Sequence, residues 1–574
     1  MSYKPQTLLV AFLVVLGVAL PFLNKPFHID DTVVLTVTEQ IINNPLDPFG
    51  TEIDWFGYVL PMWESTTNPP FLSYYLAPFA WLSNTSEVVL HGAMMLFLFL
   101  LAWGMMVLGQ RFTDSELWPI LFAVTSPAVV VSGNVMRDVP ALGLATAGIA
   151  LFISGTDRNK TRWLFAGATL VGLATLTKYS SATLFGILVL YPIIQRKYGF
   201  TLAIWPGLLL VGLWCLQNFL YYGEVHILYL LFERDIETAI PWQDKLIGML
   251  TIIGACLLLL PALIYRYVAR RNVFSLILAL ALIPLIIWQV QVYHDGYADW
   301  QFLFWACLGG LTLFLGLDIG VRRLLTPLKV SDQHRALDSL FLTLWFLLPF
   351  IFSLWMVPFQ AVRHFLPALP PFLLLLLSYL EREARPISNL KLRSNTLRNM
   401  LLVLLILQGA LAFWVQMADS EYADVYRRYA RQAVEQWGDQ KEDTWYVGHW
   451  GWMYYMNEAG FRQLRLSPPF PDQGDILIVP IRVHQGEVFA KDFKFLHKQE
   501  KLKSVPFDGN IPIRTQNWRG ASFYAVINKW TPNLPFRLFQ PLPLERFDIY
   551  RITNPRPLVA PEAVQHRLEE SPAG

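Results

Sequence analysis

The sequence predicts a polytopic α-helical membrane protein: about thirteen transmembrane helices, then a C-terminal α/β domain outside the membrane. Three observations predict it. Of 574 residues, 54% are AVILMFWYC and 15% are charged, against roughly a quarter charged in a soluble domain. The charge is unevenly placed: residues 418–574 hold 39 charged residues in 157, about 25%, while residues 1–417 hold 49, about 12%. The apolar residues of the first part fall in runs near the roughly 20 residues that cross a hydrocarbon core. A soluble enzyme of this size needs more charge to cover its surface, and a disordered chain has fewer apolar and aromatic residues. A net charge of +2 gives no basis for nucleic-acid binding. The chain therefore divides into a membrane body, 1–417, and one ordinary domain, 418–574.

Thirteen apolar runs are candidate spans: 7–23, 87–109, 117–135, 139–155, 162–177, 181–195, 200–221, 246–266, 273–292, 301–319, 338–357, 364–380 and 399–417. The first has Lys4 before it and leaves through Pro21-Phe22-Leu23-Asn24-Lys25, without a small-residue cleavage pattern, so it reads as a retained helix. Alternate loops concentrate basic residues: Arg158, Lys160 and Arg162; Arg196 and Lys197; Arg266, Arg270 and Arg271; Arg322, Arg323 and Lys329; Arg382, Arg385, Lys391, Arg393 and Arg398. The loops between them hold mostly single ones, such as Lys25, Arg137, Lys178, Arg234 and Arg363. That asymmetry places the N-terminus in the cytoplasm and the C-terminal domain outside a plasma (inner) membrane. Two long excursions lie on the outer side, 24–86 and 222–245. The first carries Trp55, Phe56, Tyr58, Trp63, Phe71, Tyr74 and Tyr75, which suits a segment at headgroup level. In the tail, 421–437 reads as an amphipathic helix, 452–459 as a short helix ended by Gly460, and 445–447, 476–479 and 523–527 as strands. The Pro-rich stretch 531–561 reads as an extended finish. Cys215, Cys256 and Cys307 lie inside apolar runs and supply neither a disulfide framework nor a thiolate metal site.

Ionisable groups are expensive in a membrane body, so those it retains are the functional candidates. They gather on the outer side. His28-Ile29-Asp30-Asp31 follows the first helix. A carboxylate at the rim is placed to deprotonate an acceptor hydroxyl; either acid also serves as a cap for the helix from Thr32. Asn68-Pro69-Pro70, with Tyr74, closes the first outer loop, and Pro-Pro fixes an extended approach to the next helix. Arg137-Asp138-Val139-Pro140 opens the fourth span, where Asp138 reads either as N-cap or as part of a site. Lys178-Tyr179 and Arg363-His364-Phe365 are outer-side cations that either snorkel or bind a phosphate at membrane depth. His28, His226, His294, Asp295 and Asp299 are the loop residues of metal-ligand type, in a pattern that defines no site. Trp445, Trp450, Trp452, Tyr454 and Tyr455 make an aromatic group in the tail, as core or as a sugar-stacking platform.

In this order, these motifs resemble the polyprenyl-phosphate-dependent glycosyltransferases of GT-C fold, and within them the bacterial branch of glycosyltransferase family 39, the protein O-mannosyltransferases and lipid A aminoarabinose transferases. The matching positions are Asp30-Asp31, Asn68-Pro69-Pro70 with Tyr74, Asp138-Val139-Pro140, Lys178-Tyr179 and Arg363-His364-Phe365-Leu366-Pro367-Ala368-Leu369-Pro370. Two positions depart from the family pattern. The second acid is Asp31 and not Glu, and Asn68 stands where several relatives place Lys or His, so that phosphate binding falls to Lys178, Arg137 or Arg363. The resemblance implies a GT-C-like body that moves a sugar from a polyprenyl-phosphate donor, undecaprenyl in a bacterium, to a hydroxyl of a lipid, glycan or protein acceptor. It assigns catalysis to Asp30 and Asp31, and substrate binding to Asn68, Tyr74, Arg137, Asp138, Lys178, Tyr179 and Arg363, among membrane lipids. No cofactor is required, with a divalent cation as an option. Two other classes fit the composition: a secondary transporter or flippase for a glycolipid or anionic substrate, which predicts repeated halves and mid-membrane charges, and a membrane-anchored assembly or binding protein working through its tail.

Overall fold

The computed structural model describes residues 5–55, 58–232, 240–270, 272–294, 299–325, 333–382, 391–465, 468–483, 499–517, 520–527, 533–539 and 543–553. Phe56, Arg234, Asp295, Lys329 and Arg385 lie outside the described residues. The protein is a multi-pass helical membrane protein with a strand-containing C-terminal domain. All thirteen apolar runs are helical. Among the described residues, nine helices are long and apolar enough to cross a membrane, or ten if the bent pair Trp242–Cys256 and Leu260–Ala269 is one span. The expected count of thirteen is lowered by local breaks. Run 117–135 splits into Leu117–Val124 and Pro127–Val131, because Pro127 lacks the N–H a continuing helix needs yet suits a first turn. Thr161–Thr175 has 15 residues, about 22 Å of rise, short of a core of about 30 Å. Tyr179–Ile194 is short as well, and run 246–266 turns by 86° at its break.

Lipid-facing and core-facing helices are distinct. Trp205–Tyr222 and Val273–Tyr293 expose Leu209, Leu213, Leu220, Ile277, Leu280 and Trp288, a surface stable only against hydrocarbon. Asp138–Arg158 is the buried axis. Its last turn sits where Arg111 pairs with Asp157 (2.9 Å) and Asp338 (2.8 Å), and Lys197 Nζ donates to the Thr156 carbonyl (2.5 Å). Its first turn opens the cavity described below. Close helix approach uses small residues: a Cβ on Gly309 would stand 1.8 Å from the Leu250 carbonyl oxygen.

One helix of 47 residues, Lys391–Trp437, joins bundle and tail without a break. Its far half presents Tyr422, Tyr426, Tyr429 and Ala433, all buried, at helical spacing to a five-stranded sheet. Tyr429 stacks on Phe547 at 3.8 Å, and Trp452 packs 5.1 Å from the same ring. The sheet order is Arg462–Gln463, Thr444–Tyr446, Ile476–Pro480, Glu545–Ile552, Gln499–Phe507. The first two pairings are parallel and the last two antiparallel. Trp450–Glu458 is the short helix.

Two expectations for the tail need correction. Residues 545–552 are not part of an extended finish but a central strand, with Phe547 and Ile549 buried; flanking prolines hid its alternation. The remainder, 554–561, lies outside the described residues. Residues 523–527 do not join the main sheet. They run along the bundle, where Val362 N–H donates to the Phe523 carbonyl (3.2 Å) and Gln360 and Ile527 exchange N–H···O bonds of 2.9 and 3.0 Å. The apolar run is buried as expected, against helices in place of strands.

Candidate active site

The acidic pair sits in a tight turn. His28 N–H donates to Asp31 Oδ2 (2.7 Å), and Asp31 N–H donates back to the His28 carbonyl (3.1 Å). Between them Ile29 has φ +48°, a left-handed backbone rare for a β-branched residue. Asp30 occupies the N-cap of Asp31–Asn43 but makes no capping bond; its Oδ2 lies 2.9 Å from an Arg363 guanidinium nitrogen. Asp31 is fully buried, and burial pushes its carboxyl up to about 8. The turn thus aims two neighbouring carboxylates in different directions.

Asp30 faces a cavity of about 430 Å³ that is also lined by Asn68, Arg137, Asp138, Lys178, Tyr179 and Arg363. Each arrives from a different element. Pro69-Pro70 leads into Phe71–Ser83, and Phe71 N–H donates to the Leu176 carbonyl (3.1 Å), docking Asn68 beside the Lys178 loop. The Asn68 amide donates to Thr67 Oγ1 (2.9 Å). Arg137 occupies the N-cap of the axial helix and Asp138 its first turn, so Asp138 is not the N-cap: its Oδ1 takes Lys178 Nζ at 2.5 Å. The Tyr179 hydroxyl accepts from Trp214 Nε1 (2.8 Å) and lies 3.1 Å from His226 Nδ1. Arg363 projects from the Val362–His364 turn. Trp55, Ser65, Thr66 and Phe359 complete the walls. Asp31 and Tyr74 do not line the cavity; the Tyr74 hydroxyl donates to the Pro45 carbonyl at 2.6 Å.

The cavity holds three cations and two carboxylates. Asp30–Arg363 and Asp138–Lys178 are paired, which leaves Arg137 in excess. Arg137 is 8% exposed, and its Nε and Nη2 have no hydrogen-bond partner among the described residues. Asp30 and Asp138 attract this guanidinium, but buried N–H groups without an acceptor are costly, and an anion accepting from them removes that cost. A second cavity of about 20 Å³ shares Asp138, Lys178 and Arg363 and continues between Leu142, Ala145, Ile149, Leu184 and Trp345.

Sequence reasoning missed a buried polar network beside this site. Lys25 Nζ donates to Asn134 Oδ1 and Asp419 Oδ2, both at 2.5 Å. The Tyr524 hydroxyl donates to Asp419 Oδ2 (2.7 Å) and accepts from Asn134 Nδ2 (2.7 Å). His28 sits edge-on to Tyr422 and Tyr524, each at 5.4 Å, and burial lowers its pKa to about 4. Asp419, directly after an apolar run, was the one available signal. Among the described residues no three His, Cys, Asp or Glu side chains gather as a metal-ligand group. Asp299 instead pairs with Arg537 (2.7 Å), His226 lies in the aromatic packing around Trp63 (4.6 Å), and Trp452 is core.

The sequence matches no family model and no curated protein sequence. Solved structures resemble it at low identity. ArnT from Cupriavidus metallidurans in the apo state aligns at 12% identity and TM-score 0.40 over 83% of this chain and 92% of its own. The same protein bound to undecaprenyl phosphate aligns at 13% and 0.39 over 83% and 92%. The archaeal oligosaccharyltransferase AglB from Archaeoglobus fulgidus, in complex with an inhibitory peptide and a dolichol-phosphate, aligns at 13% and 0.47 over 80% and 64%.

Proposed function

We propose that the protein is an inverting glycosyltransferase that moves a sugar from a polyprenyl-phosphate donor to an acceptor hydroxyl of a lipid, glycan or protein. The reading places this reaction on the outer face of the inner membrane. The observation that carries it is the buried Arg137 guanidinium, whose Nε and Nη2 lack hydrogen-bond partners among the described residues, in a cavity shared with two ion pairs. In this reading the donor phosphate lies against Arg137, Lys178 and Arg363, and Asn68 and Tyr179 bound its pocket. The acceptor oxygen attacks the anomeric carbon opposite the phosphate. The carbon–oxygen bond to phosphate breaks, its electron pair leaves with the phosphate, and the acceptor proton passes to Asp30. Charge growing on the departing phosphate meets fixed cations in a water-poor site, which is the larger electrostatic contribution. Asp31, turned away and buried, holds the turn and takes no proton from the acceptor. No metal is assigned a step; activity that falls with EDTA and returns with one added cation would reverse that assignment.

The test is sugar transfer from a polyprenyl-phosphate donor by purified protein. Asp30→Asn is expected to lower kcat by about 10²–10⁴-fold, the usual worth of a general base, while Asp31→Asn retains most turnover. Near-normal turnover in a folded Asp30→Asn variant sinks the assignment of Asp30. Flux of a glycolipid across proteoliposomes without covalent transfer sinks the enzyme reading.

A further inference from the structure

We propose that the C-terminal domain is a clamp on the acidic turn, supplying positioning residues that hold Asp30 toward Arg363; this rests on the transferase reading above. The turn grips itself through the two His28–Asp31 bonds and a Thr32 Oγ1 bond to the Ile29 carbonyl (3.3 Å), and places Ile29 in a left-handed conformation. Such backbone persists where surroundings over-determine it. Here tail groups pack on two sides of it, beside Asn134 and His91 of the bundle. On one side the Trp450–Glu458 helix lies directly on the turn: a Cβ on Gly451 would stand 2.1 Å from the Phe27 carbonyl oxygen. From the same helix the Tyr455 hydroxyl accepts the Phe27 N–H (2.8 Å) and donates to Glu87 Oε1 (2.5 Å), and Glu87 pairs with Arg427 (2.7 Å). On the other side Asp419 takes Lys25 (2.5 Å), and Tyr524, held by Asp419, flanks the His28 ring. Lys25, Phe27 and His28 are thus all fixed by groups beyond residue 417, while the cavity cations Arg137 and Lys178 stand on bundle elements. Of the three cations, Arg137 and Lys178 stand on the bundle, the Arg363 turn also meets the tail through the Val362–Phe523 bond, and the turn that carries the base is held by the tail.

The experiment uses the full-length protein in detergent, with Tyr455→Phe and Gly451→Ala as variants. Hydrogen exchange of residues 25–33, Kd for undecaprenyl phosphate and kcat for transfer are measured on each. Tyr455→Phe removes the acceptor of Phe27 N–H and leaves the ring; Gly451→Ala pushes the helix off the turn and is the variant more prone to misfold. Exchange across 25–33 is expected to rise about tenfold or more, as for a locally opened segment. The expected kcat falls about tenfold or more, the scale of a misplaced catalytic group, with Kd for undecaprenyl phosphate within about twofold, because only the chemical step loses an interaction. Unchanged exchange in both folded variants overturns the clamp. Faster exchange with unchanged kcat, or a Kd that weakens in step with kcat, overturns the positioning role. Wild-type protein that neither binds undecaprenyl phosphate nor transfers sugar sinks the transferase reading instead, and the exchange arm alone then decides whether the tail holds the turn.

Discussion

Asp30 and Asp31 are adjacent in sequence and opposite in surroundings, and the burial of Asp31 ties stability to pH. The Asp31 carboxyl is raised to about 8 by burial, against about 3.9 for an unfolded Asp. Between those values the folded state keeps a proton that the unfolded state has released. The contribution is therefore whole below about pH 4 and lost as pH rises toward 8. Asp31→Asn keeps an acceptor for His28 N–H without the charge. Its melting temperature is expected to exceed that of wild type at pH 8, and the gap to narrow at pH 5; a variant less stable than wild type at pH 8 contradicts the assignment. Arg137 yields a second prediction at this scale. Arg137→Gln should weaken undecaprenyl-phosphate binding by roughly 10- to 100-fold, from about 1.5–3 kcal/mol for a hydrogen bond to a charged group. Calorimetry that finds unchanged affinity removes the phosphate from that position. Asp30 was legible in the sequence as a candidate, since a carboxylate just past an apolar run is costly without a purpose. Which acid of the pair faces the cavity was not, because Ile29 sets it by adopting a backbone its own side chain disfavours. Tyr74 fails for a related reason: the motif brought Phe71–Ser83 to the site, but the face its third residue after Phe71 presents is directed at Pro45.

At the scale of elements, helix approach and buried pairing are the features that substitutions reach most directly. Gly309→Ala puts a methyl 1.8 Å from the Leu250 carbonyl oxygen, a backbone group that yields only if Trp242–Cys256 moves away from Trp300–Leu325. Its expected result is a lower melting temperature, whereas alanine at Gly212, with nothing within 4 Å, should leave it unchanged. Lys25 and Asp419 are both buried, at 3% and 0% exposure. Removing one partner of such a pair costs about 3–5 kcal/mol, so Lys25→Met should be severely destabilised. Lys25→Met with Asp419→Leu should recover part of the loss; a double variant as unstable as the sum of the two singles shows that the pair is not coupled. Apolar runs placed the long helices of the body, because burial in lipid demands them, while Asp31–Asn43 and Phe71–Ser83 lie outside those runs. The breaks in the runs were less visible: Pro127 and Pro261 stand in the first turns after two of them, but neither tells of the 86° angle at the second. The strand at 545–552 was obscured by its flanking prolines, and the course of 523–527 by a partner more than 160 residues away in sequence, Val362.

For the whole molecule, the alternation of basic loops sets an orientation to be measured. The axial helix carries the cavity at its start and the basic cluster of Arg111 and Lys197 near its end. In a cysteine-free background, Lys503→Cys in the tail should react with a membrane-impermeant maleimide in intact cells. Lys160→Cys, at the basic end, should react only after permeabilisation. Labelling of both from the same side contradicts the proposed topology. The border seen in composition at residue 418 is not a break in the structure, since Lys391–Trp437 passes straight through it. A helix turns about 100° per residue, so one inserted residue before Asp419 swings that carboxylate away from Lys25 and every tail residue with it. Recombination at the compositional border would join halves out of phase. The tail is therefore no exchangeable cassette: its drift is tied, residue by residue, to that of the bundle it rests on.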